Sequence, residues 1–287
     1  MKNTVMKKIL LPLLLLVCSL AGMAQKAQKK FDLAYDLYEK KQYNAALQQF
    51  LNVYNKGIGS QEVIYRSYYF AGLIYLNTNN TSEAKKVYKD ILSTDIESYE
   101  EDTDLWDKPF SIMKHNSCKI LAGLALKEKD YKQAFKYLSM ADKEYPFIHF
   151  CGNAHESNAI FLARMYAKCY VGLGEKEKAI QLLLPYCFSN HYADNSEAAD
   201  ELVVLLKEKY PKSELRKQIA EAREGLYVEQ PEKQPWFTQA YVNIFGIKAE
   251  VTLSIDGNNK NIVKELKGKA LYQYFFDQEK FVKNLLK

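Results

Sequence analysis

The chain has 287 residues, of which 48% are hydrophobic and 26% charged, an ordinary composition for a globular chain of one or two domains. Its formal charge of +5 overstates its basicity, because Lys2, Lys7 and Lys8 fall in an N-terminal leader and the other basic residues nearly balance 35 carboxylates. That balance gives no ground for a nucleic-acid partner, which calls for a concentrated basic face.

Residues 1–24 read as a targeting segment. Lys7 and Lys8 precede an apolar run from Ile9 to Leu20, which at about a dozen residues is short for a bilayer span. Gly22 and Ala24 are the small residues that a signal peptidase requires, so cleavage is expected between Ala24 and Gln25. Two alternatives are an uncleaved anchor and a lipid on Cys18, although Val17 is not the small residue that lipidation favours. No later stretch reads as a membrane span. The mature chain is expected to be soluble, in the periplasm of a bacterium or outside it.

Four phrases then recur, AYDLYEKKQYNAALQQF, AGLIYLNTNNTSEAKKVY, AGLALKEKDYKQAFKYL and AKCYVGLGEKEKAIQLL. Each reads as a helix, a tight turn and a second helix. Ala34, Gly72, Ala122 and Ala167 align in the first helices, and Ala46, Ala84, Ala134 and Ala179 in the second. Small residues in both columns let two backbones cross closely. One helical turn beyond the second column stand Phe50, Tyr88, Leu138 and Leu183, on the same face. Tyr43 and Tyr131 close the turn in repeats one and three, and Pro146 ends the third repeat.

This pattern resembles the tetratricopeptide repeat, a family whose unit is an antiparallel helix pair. The resemblance covers residues 25–193 as four repeats. It implies an all-α fold, a helix-pair solenoid winding as a right-handed superhelix. It also implies that a protein or peptide binds a concave groove lined by the first helices. Transferred to this sequence, the lining positions are Phe31, Tyr35 and Tyr38 in repeat one, and Arg66 and Tyr69 in repeat two. Lys119 and Lys127 follow from repeat three, and Phe161, Arg164 and Lys168 from repeat four. The list is aromatic at one end and basic at the other, which suits rigid apolar contacts and pairing with carboxylates. Phe31 and Tyr35 stand where one subgroup carries Lys and Asn to clamp a C-terminal carboxylate.

Two insertions interrupt the array. The first, residues 94–107, carries seven carboxylates. An EF-hand loop counted from Asp102 would need Gly at its sixth position and Glu at its twelfth, where this chain has Asp107 and Met113. It reads as a solvated acidic loop able to touch a partner. The second, FIHFCGNAHES, places His149, Cys151, His155 and Glu156 close together in a spacing that matches no zinc pattern. No metal or cofactor is expected. Cys118, Cys151, Cys169 and Cys187 remain after the leader, an even number that permits disulfides in an exported chain. Three of them fall on repeat helices, where buried free thiols are the simpler reading. No nucleophile, triad or phosphate-loop signature is present.

Residues 194–227 read as a degenerate fifth helix pair and cap, divided by Pro211, with Leu215, Ile219, Ala222 and Leu226 on one face. VEQPEKQPW reads as a linker. Residues 237–287 read as a small β-hairpin with helices. Val251, Leu253 and Ile255 alternate with polar residues, and Gly246 and Asp256–Gly257 mark turns. A lone hairpin is marginal, so this tail should dock on the last helices or on a partner. The expected function is a noncatalytic adaptor or scaffold that holds a protein or peptide in its groove. The alternative is an inhibitor or immunity-type binder acting through the tail, and an enzyme ranks below both.

Overall fold

A computed structural model describes residues 24–97, 108–188, 193–229, 239–251, 253 and 260–287. Within them run α1 (residues 24–39), α2 (Tyr43–Lys56), α3 (Gln61–Asn77), α4 (Thr81–Ser93), α5 (Pro109–Lys127) and α6 (Tyr131–Lys143). Then come α7 (Gly152–Gly172), α8 (Lys176–Leu183, continued by a 3-10 turn over Leu184–Tyr186), α9 (Ser196–Lys209) and α10 (Lys212–Glu224). The C-terminal part holds strands β1 (Tyr227–Glu229), β2 (Gln239–Ile244) and β3 (Ile247–Val251), then α11 (Lys260–Glu265), α12 (Lys269–Gln278) and α13 (Lys280–Leu286). The fold is an all-α helical repeat with a small α+β extension. Among the described residues no helix is long and apolar enough to cross a membrane. The leader and its expected cleavage site, residues 98–107 of the acidic loop, and the Asp256–Gly257 turn lie wholly or largely outside the described residues.

The two small-residue columns explain the pairing. All eight positions are buried, and so are Phe50, Tyr88, Leu138 and Leu183 beyond them. At Gly72 the approach is close, since an added Cβ would lie 2.8 Å from the Tyr88 ring and 2.9 Å from Val87. The turns repeat as closely as the helices. Lys41, Asn79, Lys129 and Gly174 have φ of 57°, 60°, 60° and 82°, and each stands five residues before its Ala46, Ala84, Ala134 or Ala179. The next amide reaches back across the turn, Gln42 to Leu37 O at 2.9 Å, Asn80 to Tyr75 O at 2.7 Å and Glu175 to Tyr170 O at 2.8 Å. These bonds satisfy carbonyls that a helix end would leave unpaired. Side chains start the following helices: Asn80 Oδ1 accepts from Glu83 N at 3.4 Å, and Asp130 Oδ1 from Gln133 N at 3.1 Å.

Two helices begin well before the recurring phrases they carry. Pro109 opens α5, six residues before His115, because proline suits the first helical position. Helix α7 starts at Gly152 and absorbs the second half of the FIHFCGNAHES insertion.

Contacts divide the chain into two units. The first holds α1–α5 and residues 139–148. It contains an apolar cluster of Ala27, Phe31, Ala34, Ala46, Phe50, Val53, Ala71 and Ile74. The second holds residues 129–138 and the chain from His149 onward. In it α9, α10 and the tail share one core, in which Leu202, Leu206, Leu215 and Ile219 join Val242, Ile244, Val251, Phe276, Phe281 and Leu285. The tail therefore docks on the last helices. Its sheet is antiparallel in the order β1-β2-β3, with Tyr227 opposite Tyr241 and Ile244 opposite Ile247. Ala240, Val242, Ile244, Ala249 and Val251 form its buried face. Phe245 and Gly246 make the hairpin turn, both at positive φ. Phe245 stacks on Tyr210 at 5.2 Å, which holds an aromatic where glycine or asparagine is usual. Strand β1 falls at the start of the segment that reads as a linker, just before its first proline.

Two substitutions test the crossings and the turns. Gly72→Ala gains about 1 kcal/mol of helix propensity at most. It forces a methyl into the buried Tyr88 ring, and overpacking costs about 1–3 kcal/mol. A lowered denaturation midpoint is expected. Lys129→Gly removes a left-handed cost of roughly 1–2 kcal/mol against about 0.5–1 kcal/mol of added chain entropy, so the midpoint should rise.

Candidate functional site

In the first unit the expected aromatic positions come together. Phe31, Tyr35 and Tyr38 recur at helical spacing along one side of α1, opposite Arg66, Tyr69 and Phe70 of α3. Phe70 is the hub, with ring centroids 5.9 Å from Phe31, 5.3 Å from Tyr35, 5.6 Å from Tyr38 and 5.3 Å from Phe50. Phe31 is buried, so it is the floor of this face and not a surface contact. Its ring carries the Arg66 guanidinium at 5.0 Å, and Glu62 holds that guanidinium at 3.1 Å. Tyr35 is 39% exposed. Tyr38 is half-buried, and its hydroxyl accepts from Asn77 Nδ2 at 3.4 Å. Burial, with the neighbouring Tyr38 phenol adding to it, pushes Tyr69 up to about 12. The Tyr69 phenol therefore stays neutral at physiological pH.

The third repeat's lysines differ from each other. Lys127 is exposed at the end of α5. Lys119 is half-buried with its ammonium 5.9 Å from the Phe147 ring, and burial lowers its pKa. A stronger feature lies beside it. Lys114 is 1% exposed, donates to Thr94 O, pairs with Glu97 and sits 5.1 Å from the Tyr145 ring. His115 is also buried, its Nδ1 3.0 Å from Ala141 O and 2.8 Å from Tyr145 O. Together they tie the foot of the acidic segment and the end of α6 to α5.

In the second unit the expected basic end is neutralised from within. Arg164 Nη2 and Nε reach Glu201 Oε1 at 2.8 and 3.3 Å, and Nη1 pairs with Glu197. Lys168 meets Glu201 at 3.1 Å. Both cations of this end therefore have carboxylate partners on α9. Phe161 is half-buried on α7. The signal for this pairing was in the sequence, where Arg164 and Lys168 stand four residues apart, as do Glu197 and Glu201.

The loop histidines are engaged by backbone. His149 Nδ1 accepts from Cys151 N at 3.1 Å, and His155 Nε2 lies 2.7 Å from His149 O. Among the described residues no group of His, Cys, Asp and Glu is placed to hold a metal. Among the described residues Cys118, Cys151, Cys169 and Cys187 are free thiols. Burial pushes Cys118 up to about 12 and Cys169 up to about 11, so neither is a nucleophile at neutral pH. Phe150, which sequence reasoning passed over, is 82% exposed beside His149. On the outer sheet face Lys248 lies 3.7 Å from the Tyr241 ring and 5.5 Å from Tyr227.

Comparison of the chain with family models, curated proteins and solved structures gave no significant match.

Arg164→Glu should set three carboxylates together and cost about 2–3 kcal/mol, the scale for losing hydrogen bonds to a charged group. Urea titration measures this, and a reciprocal Glu201→Arg change should restore part of the loss. In the native protein a maleimide should label Cys151 first. Cys118, Cys169 and Cys187 should react only on denaturation, as mass spectrometry would record.

Proposed function

We propose that this chain is an exported, noncatalytic adaptor of the tetratricopeptide type that holds a protein or peptide partner against the aromatic face of its first two helix pairs. The observation that carries the reading is the ring ladder of Tyr35, Tyr38, Phe70 and Tyr69, with Arg66 stacked on Phe31 at its border. Rings of this kind give large contact area with few rotors to freeze, which is why aromatic and arginine side chains dominate binding hot spots. The internal pairing of Arg164 and Lys168 moves the weight from the basic end to the aromatic end. Export rests on the leader, and its removal would leave Gln25 as the mature N-terminus.

A second reading, binding through the tail, is favoured by the outer sheet face. Tyr227 and Tyr241 flank Lys248 there, at 5.8 Å from each other. Deleting residues 237–287 cannot separate the two readings, because the tail completes the core of α9 and α10. Point changes on the two faces can.

Photo-crosslinking side chains installed at positions 35 and 38 should capture a partner in the native envelope, whereas one at the exposed Leu173 should not. Tyr35→Ala with Tyr38→Ala should weaken that partner's affinity about tenfold or more, with little change in salt dependence. Loss of capture on Tyr241→Ala, with the Tyr35 and Tyr38 variants binding as the parent does, would transfer the function to the tail.

A further inference from the structure

A separate feature lies at the open end of the first helix pair. Lys26, Ala27 and Lys30 of α1, Asn52, Val53 and Lys56 of α2, and Ile58 beyond it line a cleft of about 180 Å³. Its floor is apolar, since Ala27 and Val53 are buried. Beside Ala27 the chain passes closely. Gly59 has φ of +128°, and an added Cβ there would lie 2.9 Å from the Ala27 Cβ. The rim is cationic. Lys30 Nζ donates to Asn52 Oδ1 at 3.0 Å, which holds one ammonium at the edge of the cleft.

Some cations of the same unit have carboxylate partners. Arg66 pairs with Glu62, Lys85 with Glu128 and Lys114 with Glu97. Among the described residues no carboxylate pairs with Lys26, Lys30 or Lys56. The nearby Asp32 takes a hydrogen bond from Gln28 at 2.8 Å. Like charges gathered around a low-dielectric floor repel one another, and an anion seated there relieves the repulsion. The floor adds a second requirement. An apolar cavity of about 150 Å³ accommodates benzene, so this cleft suits an apolar group of that size.

We propose that the cleft binds a small organic anion, a carboxylate or phosphate carried on an apolar group about the size of a benzene ring. The anion meets Lys26, Lys30 and Lys56, and the apolar group rests on Ala27, Val53 and Ile58. The site shares no residue with the aromatic face and does not depend on it.

Titration of the purified protein with phenylacetate, phenyl phosphate and the uncharged phenylacetamide tests this, followed by calorimetry and by the methyl signals of Val53 and Ile58. At least one anion should bind tenfold or more tighter than the amide and shift both methyl groups. Lys30→Gln with Lys56→Gln should remove most of that preference while leaving the melting temperature unchanged. Equal binding of anion and amide, anion binding with both methyl signals unmoved, or no saturable binding would overturn the proposal. So would binding to phosphatidylglycerol vesicles without binding to either free anion, because the ligand would then be a membrane surface.

Discussion

The helix crossings at small residues are the constraint on which the array rests. Two helices can approach closely only where neither carries bulk at the contact, and buried pairs within one unit, such as Gly72 with Ala84 and Ala167 with Ala179, meet that condition. Close approach then fixes the register, because the large residue one turn later must enter the space beside its neighbour. The turn has to deliver the second helix into that register each time. A left-handed residue at the same place in all four turns does so, and three of the four are not glycine. The turn geometry is thus imposed by the crossings, which repay the backbone cost. In an isolated turn the chain would more readily use glycine.

Charge plays a different part. The salt bridges at Arg164, Lys168, Lys176 and Lys209 run from the fourth pair to α9. They join faces that are apolar in their centres and polar at their rims. The lysine pairs are the more exposed and add little stability each, Arg164 is the better buried anchor, and their complementary spacing selects one register of α9 over a slipped one. The first pairs rely instead on stacked rings, which tolerate a wet face without charge.

What the sequence disclosed follows from range. The small columns, the turns and the amphipathic face of α10 depend on residues within a helical turn or two, so spacing alone revealed them. Helix starts at Pro109 and Gly152 are not legible in it, because the repeat pattern weakens before its first small residue. Strand β1 was missed because three residues carry no readable alternation, and its partner lies on β2 beyond the prolines. The candidate site divided in the same way. Tyr35, Tyr38 and Tyr69 gather around Phe70 with Arg66 beside them, and Phe70 itself was overlooked although it lies one turn beyond Arg66. Arg164 and Lys168 looked available because their carboxylates lie 33 and 37 positions away along the chain.

The shared core of α9, α10 and the tail bears on how such an array can change length. A chain of stacked pairs ordinarily grows by duplicating a pair, and the end is the easiest place to add one. Here β2, β3, α12 and α13 pack into the core of the last pair. A duplicated pair appended there would meet a finished surface. Growth or shortening would have to happen inside the array, between units whose two sides still match, so the tail acts as a terminator that sets the repeat number.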